Sequence, residues 1–419
     1  MTRKRLTIGL VLALLLFAAG AAAAVWVYQQ RHPADVRGSS TEEFDTVEEP
    51  GTTTRPEEEV LKVPWPTYGL DNQRTRVASD FSHRPPYDKL WVVNGKSLLE
   101  FPPVVADDRV YIGTNHGLFF AIDAKTGEID WQKDFNRCMA ASPQVGDGVI
   151  YQGLMDPSPC GKHDQTAPGY MVAMDAESGQ QLWRFKAGVI ESSPLLVDGI
   201  LYFGSWDKKI YALDVETRKP VWTYSTGDKV KDGAAYARGV VVMGSYDGSV
   251  YALDAQSGKL RWKASAQSRF GGRGTWYATP TIAYGRVFIG NTDGKMYAFG
   301  LRSGKLLWAT STGGYVYSSA AVFDRRVYAG SYDENFYAFD AATGDVRWKF
   351  PAGGPISGAP TMMEGVVYFS TLKGKTFALD AKSGKQLWVF GDGQYSPLVA
   401  DEERVYLVGV KKLYGMTPR

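Results

Sequence analysis

Two cysteines in 419 residues are too few for a disulfide scaffold, a four-thiolate zinc site or a four-cysteine iron–sulfur cluster. Four histidines, His32, His83, His116 and His163, are scattered. No ligand spacing joins His116 and His163 to Asp156 or Asp164, so no metal site is expected. An excess of either charge is also missing. Forty-seven Lys and Arg against forty-five Asp and Glu leave +2, which argues against nucleic acid as a partner. No Gly-x-Ser-x-Gly, Walker loop or His-Glu-x-x-His occurs, so the common hydrolase, nucleotide and zincin signatures are excluded. Phe270-Gly271-Gly272-Arg273-Gly274 is a lone glycine-rich loop outside any strand–helix context.

What is present divides the chain into parts. Arg3, Lys4 and Arg5 precede an uncharged, mostly apolar run from Leu6 to Val27. At 1.5 Å per residue such a run spans roughly 33 Å, enough for a bilayer core. Trp26 and Tyr28 suit the far interface, and the basic start stays inside. Residues 1–33 are therefore expected to be a membrane signal-anchor, with the membrane contacted through residues 6–28 and the remainder extracytoplasmic. Cleavage near Ala22-Ala23-Ala24, giving a secreted protein, is the alternative. No cysteine near this run offers a site for a lipid.

Residues 34–60 hold nine acidic side chains against Arg37 and Arg55. With Pro50, Gly51, Pro56 and three consecutive threonines, they read as a disordered acidic tether that cannot bury enough apolar area to fold. Residues 61–88 form a lead-in. The chain outside the basic start and the tether is mildly basic, 41 Lys and Arg against 36 Asp and Glu.

From residue 89 the sequence repeats. Trp91, Trp131, Trp183, Trp222, Trp262, Trp308, Trp348 and Trp388 follow one another at steps of 40, 52, 39, 40, 46, 40 and 40 residues. Eight positions before each of the last seven stands Asp123, Asp175, Asp214, Asp254, Gly300, Asp340 or Asp380. The intervening segments read DAKTGEIDW, DAESGQQLW, DVETRKPVW, DAQSGKLRW, GLRSGKLLW, DAATGDVRW and DAKSGKQLW. Gly300 replaces the aspartate in one copy, and Arg218 replaces the turn glycine in another. Hairpin patterns such as Tyr202–Asp214 precede these segments, with a further short strand upstream. Four strands per 40 residues make the blade of a β-propeller. An orphan fourth strand at Lys89-Leu90-Trp91 complements a final unit that stops after its third, Lys412–Met416. The expectation is an all-β, eight-bladed propeller over residues 89–419, closed by one strand from each terminus, so that no sheet edge is left at the seam.

The recurring Tyr-Ala-Leu-Asp-Ala-x-Ser/Thr-Gly-Lys-x-x-Trp resembles the tryptophan-docking repeat of quinoprotein alcohol dehydrogenase-like (PQQ-like) propellers. Trp65-Pro66-Thr67-Tyr68-Gly69 with Asn72, Arg74 and Thr75 resembles the lead-in of the same family. Trp-Asp occurs once in the propeller, at Trp206-Asp207, unlike a WD repeat. The family holds both pyrroloquinoline-quinone dehydrogenases and the non-catalytic propeller of outer-membrane β-barrel assembly, and the resemblance in style is to the latter. It implies a monomeric scaffold for envelope proteins or peptides. A quinoprotein binding pyrroloquinoline quinone with calcium to oxidise an alcohol or sugar is the alternative, as is a propeller binding carbohydrate or wall polymer. The family's dehydrogenases carry a vicinal cysteine pair, which this sequence lacks, so no cofactor and no catalytic residue are assigned.

The eight repeated tryptophans are expected between blades, each N–H bonded to backbone. Two insertions, residues 155–169 and 266–277, fall on one rim, where a repeat scaffold varies for binding. Rim candidates are Arg137, Glu191, Trp206, Lys231, Tyr246, Arg269, Arg273, Trp276, Tyr315, Tyr317, Tyr332 and Tyr395, because aromatic and arginine side chains dominate interface energetics. Cys138 and Cys160 share that rim and, in an exported chain, are expected to pair.

Overall fold

A computed structural model describes residues 2–46, 63–79, 81–160, 164, 166–267, 272 and 274–419. Its strands form eight antiparallel sheets arranged as blades. Seven are built from consecutive strands: blade 1 over residues 104–134, blade 2 over 144–187, blade 3 over 195–225, blade 4 over 235–265, blade 5 over 281–311, blade 6 over 321–351 and blade 7 over 361–390. Blade 8 joins Leu398–Ala400, Val405–Val408 and Lys412–Pro418 to the N-terminal strand Tyr87–Asn94. Trp91 faces Gly415 in that antiparallel seam. The ring is closed by both ends of the domain, so a hydrogen-bonded strand pair replaces what would be two open edges.

The repeat motif explains how neighbouring blades fit. The indole N–H of Trp91, Trp131, Trp222, Trp262, Trp308 and Trp348 donates to a carbonyl of the following blade, at Ala124, Ala176, Ala255, Leu301, Ala341 and Ala381 respectively. Each of these rings lies on the turn glycine of that next blade. A Cβ at Gly258 or Gly304 would sit 2.6 or 2.7 Å from the indole, and both glycines have φ near +67°. The repeated aspartate caps the same turn: Asp254 Oδ1 accepts the Ser257 amide and hydroxyl at 2.8 and 2.7 Å. The turn that would meet Trp183 carries Arg218 at φ +60° instead of glycine.

The lead-in closes one end of the channel. Its backbone pairs with the innermost strands in turn: Trp65 with Val105, the Pro66 carbonyl with the Val145 amide, Asn72 with Tyr236, Gln73 with Ile282, Thr75 with Val322 and Arg76 with Met362. Val77–Ala78 continues as a short parallel strand on blade 7. The blade 3 position is reached by Arg74, which is fully buried and bonds the carbonyls of Pro194, Ala234 and Tyr68. Burial pushes that guanidinium down to about 9. At blade 8, His83 Nε2 lies 2.6 Å from the Asp401 carbonyl.

The two N-terminal expectations fare differently. The helix Thr2–Arg31 has described side chains only from Leu15, so the spanning run Leu6–Val27 falls partly outside the described residues. Among the described residues, no helix is long and apolar enough to cross a membrane. Of the expected tether, residues 47–60 also lie outside the described residues, but residues 33–45 are a strap docked on blades 5 and 6. Val36 pairs with Ala309 through two 2.9 Å backbone bonds. Arg37 forks onto Asp345 at 2.9 and 2.7 Å. Buried Arg286 donates to the strap carbonyls of Ser39, Glu42 and Glu43, and buried Lys295 to those of Pro33 and Ala34 and to Asp35. Phe44 stacks on Tyr284 with centroids 5.2 Å apart. The acidic composition argued for solvation, but two buried cations of the ring supply partners that local sequence does not reveal.

Candidate functional site

Closure from below turns the channel into a funnel that opens on the insertion rim. Its cavity is bordered by Tyr68 of the lead-in and by residues just before the innermost strands of seven blades, among them Glu100, Glu191, Asp232, Thr279, Ser319, Gly358 and Ser396. The volume is about 60 Å³.

One wall is a connected network. Glu191 accepts from the Trp206 indole at 3.0 Å and from the Tyr277 hydroxyl at 3.1 Å, and it pairs with the Lys231 ammonium at 2.9 Å. That ammonium lies 4.4 Å from the Trp206 ring, 5.2 Å from Tyr246 and 5.8 Å from Tyr277. The ion pair is thus largely shielded and multiply bonded, the condition under which a buried pair holds. Burial, then the charges of Glu191 and Glu100, raise the Tyr277 phenol well above its usual range. Tyr246 is raised by burial and Glu191, Tyr395 by burial and Glu100. Tyr317 contacts Tyr277, Tyr315 and Tyr332, with ring centroids 5.0 to 5.8 Å apart, and continues the aromatic belt round the mouth.

Asp232 differs from its neighbours. It is 3% exposed; Oδ2 accepts the Gly244 amide at 2.7 Å, while Oδ1 has no hydrogen-bond partner. Burial raises its carboxyl well above the ordinary range.

The structure brings Glu191, Trp206, Lys231, Tyr246, Tyr315, Tyr317, Tyr332 and Tyr395 to this mouth. It does not bring Trp276 there. That side chain is fully buried, packed edge-on against Tyr297 and Phe299, and the next residue, Tyr277, faces the funnel instead. Arg137 sits under the blade 2 insertion, bonded to the carbonyls of Met155 and Pro168 and stacked over Tyr170. It braces the insertion that Cys138 and Cys160 also hold through their disulfide. Arg269 and Arg273 lie outside the described residues. Glu100, Asp232, Tyr277 and Tyr68 escaped sequence reasoning. Their signal is positional: each except Tyr68 falls within a few residues before an innermost strand.

Two family models match the chain. One, described as the outer membrane protein assembly factor BamB, covers residues 162–316 and 301–415; the other, the propeller domain of glucose, ethanol and alcohol dehydrogenases, covers residues 88–188. The chain belongs to the PQQ-like, BamB-type propeller family. Within it, this propeller is similar to proteins of both kinds. It is 32% identical to a quinohemoprotein alcohol dehydrogenase of Comamonas testosteroni over 39% of this chain and 18% of that protein. It is 26% identical to the outer membrane protein assembly factor BamB of Nitrosomonas eutropha over 34% of this chain and 32% of that one. The matched part thus spans less than a third of either relative. Among solved structures, the Comamonas testosteroni quinohemoprotein alcohol dehydrogenase superposes with a TM-score of 0.71 at 16% identity, over 84% of this chain and 80% of that one. BamB of Moraxella catarrhalis does so with a TM-score of 0.64 at 16% identity, over 79% and 100%. At that identity the superpositions concern the fold.

A quinone with several carboxylates fits this PQQ-like funnel poorly. The cation of the mouth network, Lys231, is already paired with Glu191, and among the described residues the other charged ones bordering the cavity are acidic. Among the described residues, no group of three or more His, Cys, Asp or Glu could hold a metal ion.

Proposed function

We propose that this PQQ-like propeller is a non-catalytic scaffold that holds an envelope protein or peptide at its funnel mouth, on the outer side of a membrane to which its N-terminal helix anchors it. The observation that carries the reading is the Glu191–Lys231–Trp206–Tyr277 network. It commits Glu191 and Lys231 to each other and to the surrounding rings, and the tyrosines about them form an aromatic surface, the composition that favours a protein contact. The BamB-type relatives support a protein partner. The anchor is supported by the basic start and apolar run of the sequence, and by the exposure of Leu15, Leu16, Phe17 and Trp26 on the helix. Such a row of apolar side chains calls for an apolar surrounding.

The dehydrogenase reading draws on the similarity to quinohemoprotein alcohol dehydrogenases and is separated by one experiment. The full chain is incubated with pyrroloquinoline quinone and calcium, then followed by absorbance, thermal shift and dye-linked dehydrogenase activity. No uptake is expected. Stoichiometric binding with turnover would overturn the scaffold reading. Fractionation of cells with an intact N-terminus should place the protein with membranes; recovery in the soluble extracytoplasmic fraction, cleaved near Ala24, would overturn the anchor.

A further inference from the structure

We propose that the tyrosine belt at the funnel mouth is a docking site for an uncharged, proline-rich segment of the partner, held in the polyproline II conformation. The proposal rests on the scaffold reading and specifies what that scaffold grips.

The belt runs unbroken over blades 4 to 6. Tyr246 meets Tyr277 with ring centroids 6.4 Å apart, Tyr277 meets Tyr317 at 5.1 Å, and Tyr317 meets Tyr332 at 5.0 Å. Tyr315, 52% exposed, closes a triad with the last two at 5.8 and 6.2 Å. Backbone bonds hold the rings in place: the Tyr332 amide donates to the Tyr315 carbonyl and the Tyr246 amide to that of Lys229, each at 2.9 Å. No side chain of the belt is charged. Tyr277 donates its hydroxyl to Glu191, while among the described residues no hydrogen bond engages the hydroxyls of Tyr246, Tyr315, Tyr317 and Tyr332.

These features select one class of segment. A phenol hydroxyl is a donor, so the belt offers a row of donors to a chain that exposes carbonyls. A polyproline II helix makes no internal hydrogen bonds and leaves its carbonyls open, and proline brings no N–H that would demand an acceptor in return. Spacing agrees. Two residues of that helix advance about 6 Å, close to the step from one ring to the next, so about seven residues cover the run from Tyr246 to Tyr332. Along that run the rings meet at 57°, 86° and 66°. Such edge-to-face order makes clefts in which a pyrrolidine ring can seat, as in the aromatic grooves that read proline-rich segments. A sugar stacks on a broad open ring face, and edge-to-face packing narrows those faces.

The test is isothermal titration of the full chain in neutral detergent. The probes are a blocked heptaproline, a blocked Gly-Ser heptapeptide as a flexible neutral control, and a neutral glucose tetrasaccharide. Binding of heptaproline alone is expected. Tyr317→Ala should weaken it about tenfold or more. Tyr332→Phe, which keeps the ring and removes the hydroxyl, should weaken it about threefold, whereas Tyr236→Phe, beside the lead-in at Asn72, should leave it unchanged. Unchanged affinity in either belt variant, equal binding of the Gly-Ser peptide, or binding of the saccharide instead of heptaproline overturns the proposal. If Y317A fails to fold, Tyr315→Ala at the exposed corner of the triad replaces it; the same loss is expected, and unchanged affinity again overturns the proposal. Should heptaproline fail while no quinone is taken up, this inference falls and the scaffold stands; quinone uptake with turnover removes the scaffold itself.

Discussion

Blade 5 carries Gly300 where six other blades carry the turn aspartate, and the strap supplies what it lacks. Glu43 Oε2 accepts the Arg302 amide at 3.2 Å. A Cβ added at Gly300 would stand 2.4 Å from that same oxygen. In blade 6, the corresponding Asp340 accepts the Ala342 and Thr343 amides at 2.9 Å. The carboxylate from residue 43 thus occupies in trans the place of the side chain missing at residue 300. Glu43→Ala should therefore cost about 1 kcal/mol, the usual worth of a side chain capping backbone amides. Gly300→Asp should have opposite effects in two backgrounds. With Glu43 present, the new side chain collides with it and sets two carboxylates side by side, costing about 1–2 kcal/mol at surface dielectric. In E43A the aspartate regains the local cap, a gain of about 1 kcal/mol. The gain from losing glycine flexibility in the unfolded chain, about 0.4–1 kcal/mol, is common to both backgrounds and cancels.

The coupling is therefore about 2 kcal/mol, far outside the scatter of independent sites. The readout is amide exchange in residues 301–304, because a local opening shows there while global unfolding of a chain this long is often irreversible. Glu43→Ala should speed exchange about fivefold, and adding Gly300→Asp should restore protection. If Gly300→Asp lowers protection equally with and without Glu43, the two positions are independent and the substitution argument is wrong.

Further outcomes follow from the same contacts. Gly304→Ala places a Cβ 2.7 Å from Trp262 at φ +67° and should destabilise by about 2–3 kcal/mol in thermal or denaturant unfolding, whereas Arg218→Gly, relieving a residue at φ +60°, should stabilise by up to about 1 kcal/mol. Arg74→Met strands the carbonyls of Pro194 and Ala234 and opens the lead-in; a loss of about 3–5 kcal/mol is expected, read as proteolysis near residues 63–79. Asp123, Asp175, Asp214, Asp254 and Asp380 are all held below the usual carboxylate range by turn hydrogen bonds. Their contribution is complete above the unfolded value near 3.9 and is lost as pH falls through the folded values, so the melting temperature should be level from about pH 5 to 7 and fall below about pH 4, less steeply in Asp254→Asn.

The ring was legible because its cause is periodic. An indole every 40 residues that must meet a glycine on the next blade determines blade count, blade boundaries and the seam at Trp91. The lead-in was visible only as a motif, since it pairs through backbone groups, and backbone carries no side-chain signal. The strap was misread because its backbone carbonyls and Asp35 find partners, Arg286 and Lys295, some 250 positions away in sequence, and composition measures only local opportunity for burial. Gly300 was the trace it left. At the mouth, aromatic type was a sound guide but phase was not. Trp276 and Tyr277 point opposite ways, and one residue of register decides which is core and which is site. Asp232 was invisible for the same reason: an acid before a strand reads as solvated until the blades close round it.

These N-terminal segments also decide how a partner can approach. A propeller ring leaves two sets of unpaired strand edges, one lining the channel and one facing out. The lead-in takes up backbone groups of the innermost strands from blade 1 to blade 7, and the strap covers the outer edge of blade 5 at Ala309. A segment threading the channel would have to break the Arg74 and Arg76 contacts with the carbonyls of Pro194, Ala234 and Ala320, leaving buried guanidinium groups without acceptors. That cost exceeds what one inserted strand regains in backbone bonds worth about 1 kcal/mol each. On the scaffold reading proposed above, recognition falls to the side of the ring that carries both insertions. The strap ties the chain at Lys295 beside the turn of Thr292–Gly294, on that same side. On the proposed anchor, a helix ending at Arg31 would therefore hold the mouth near the membrane surface.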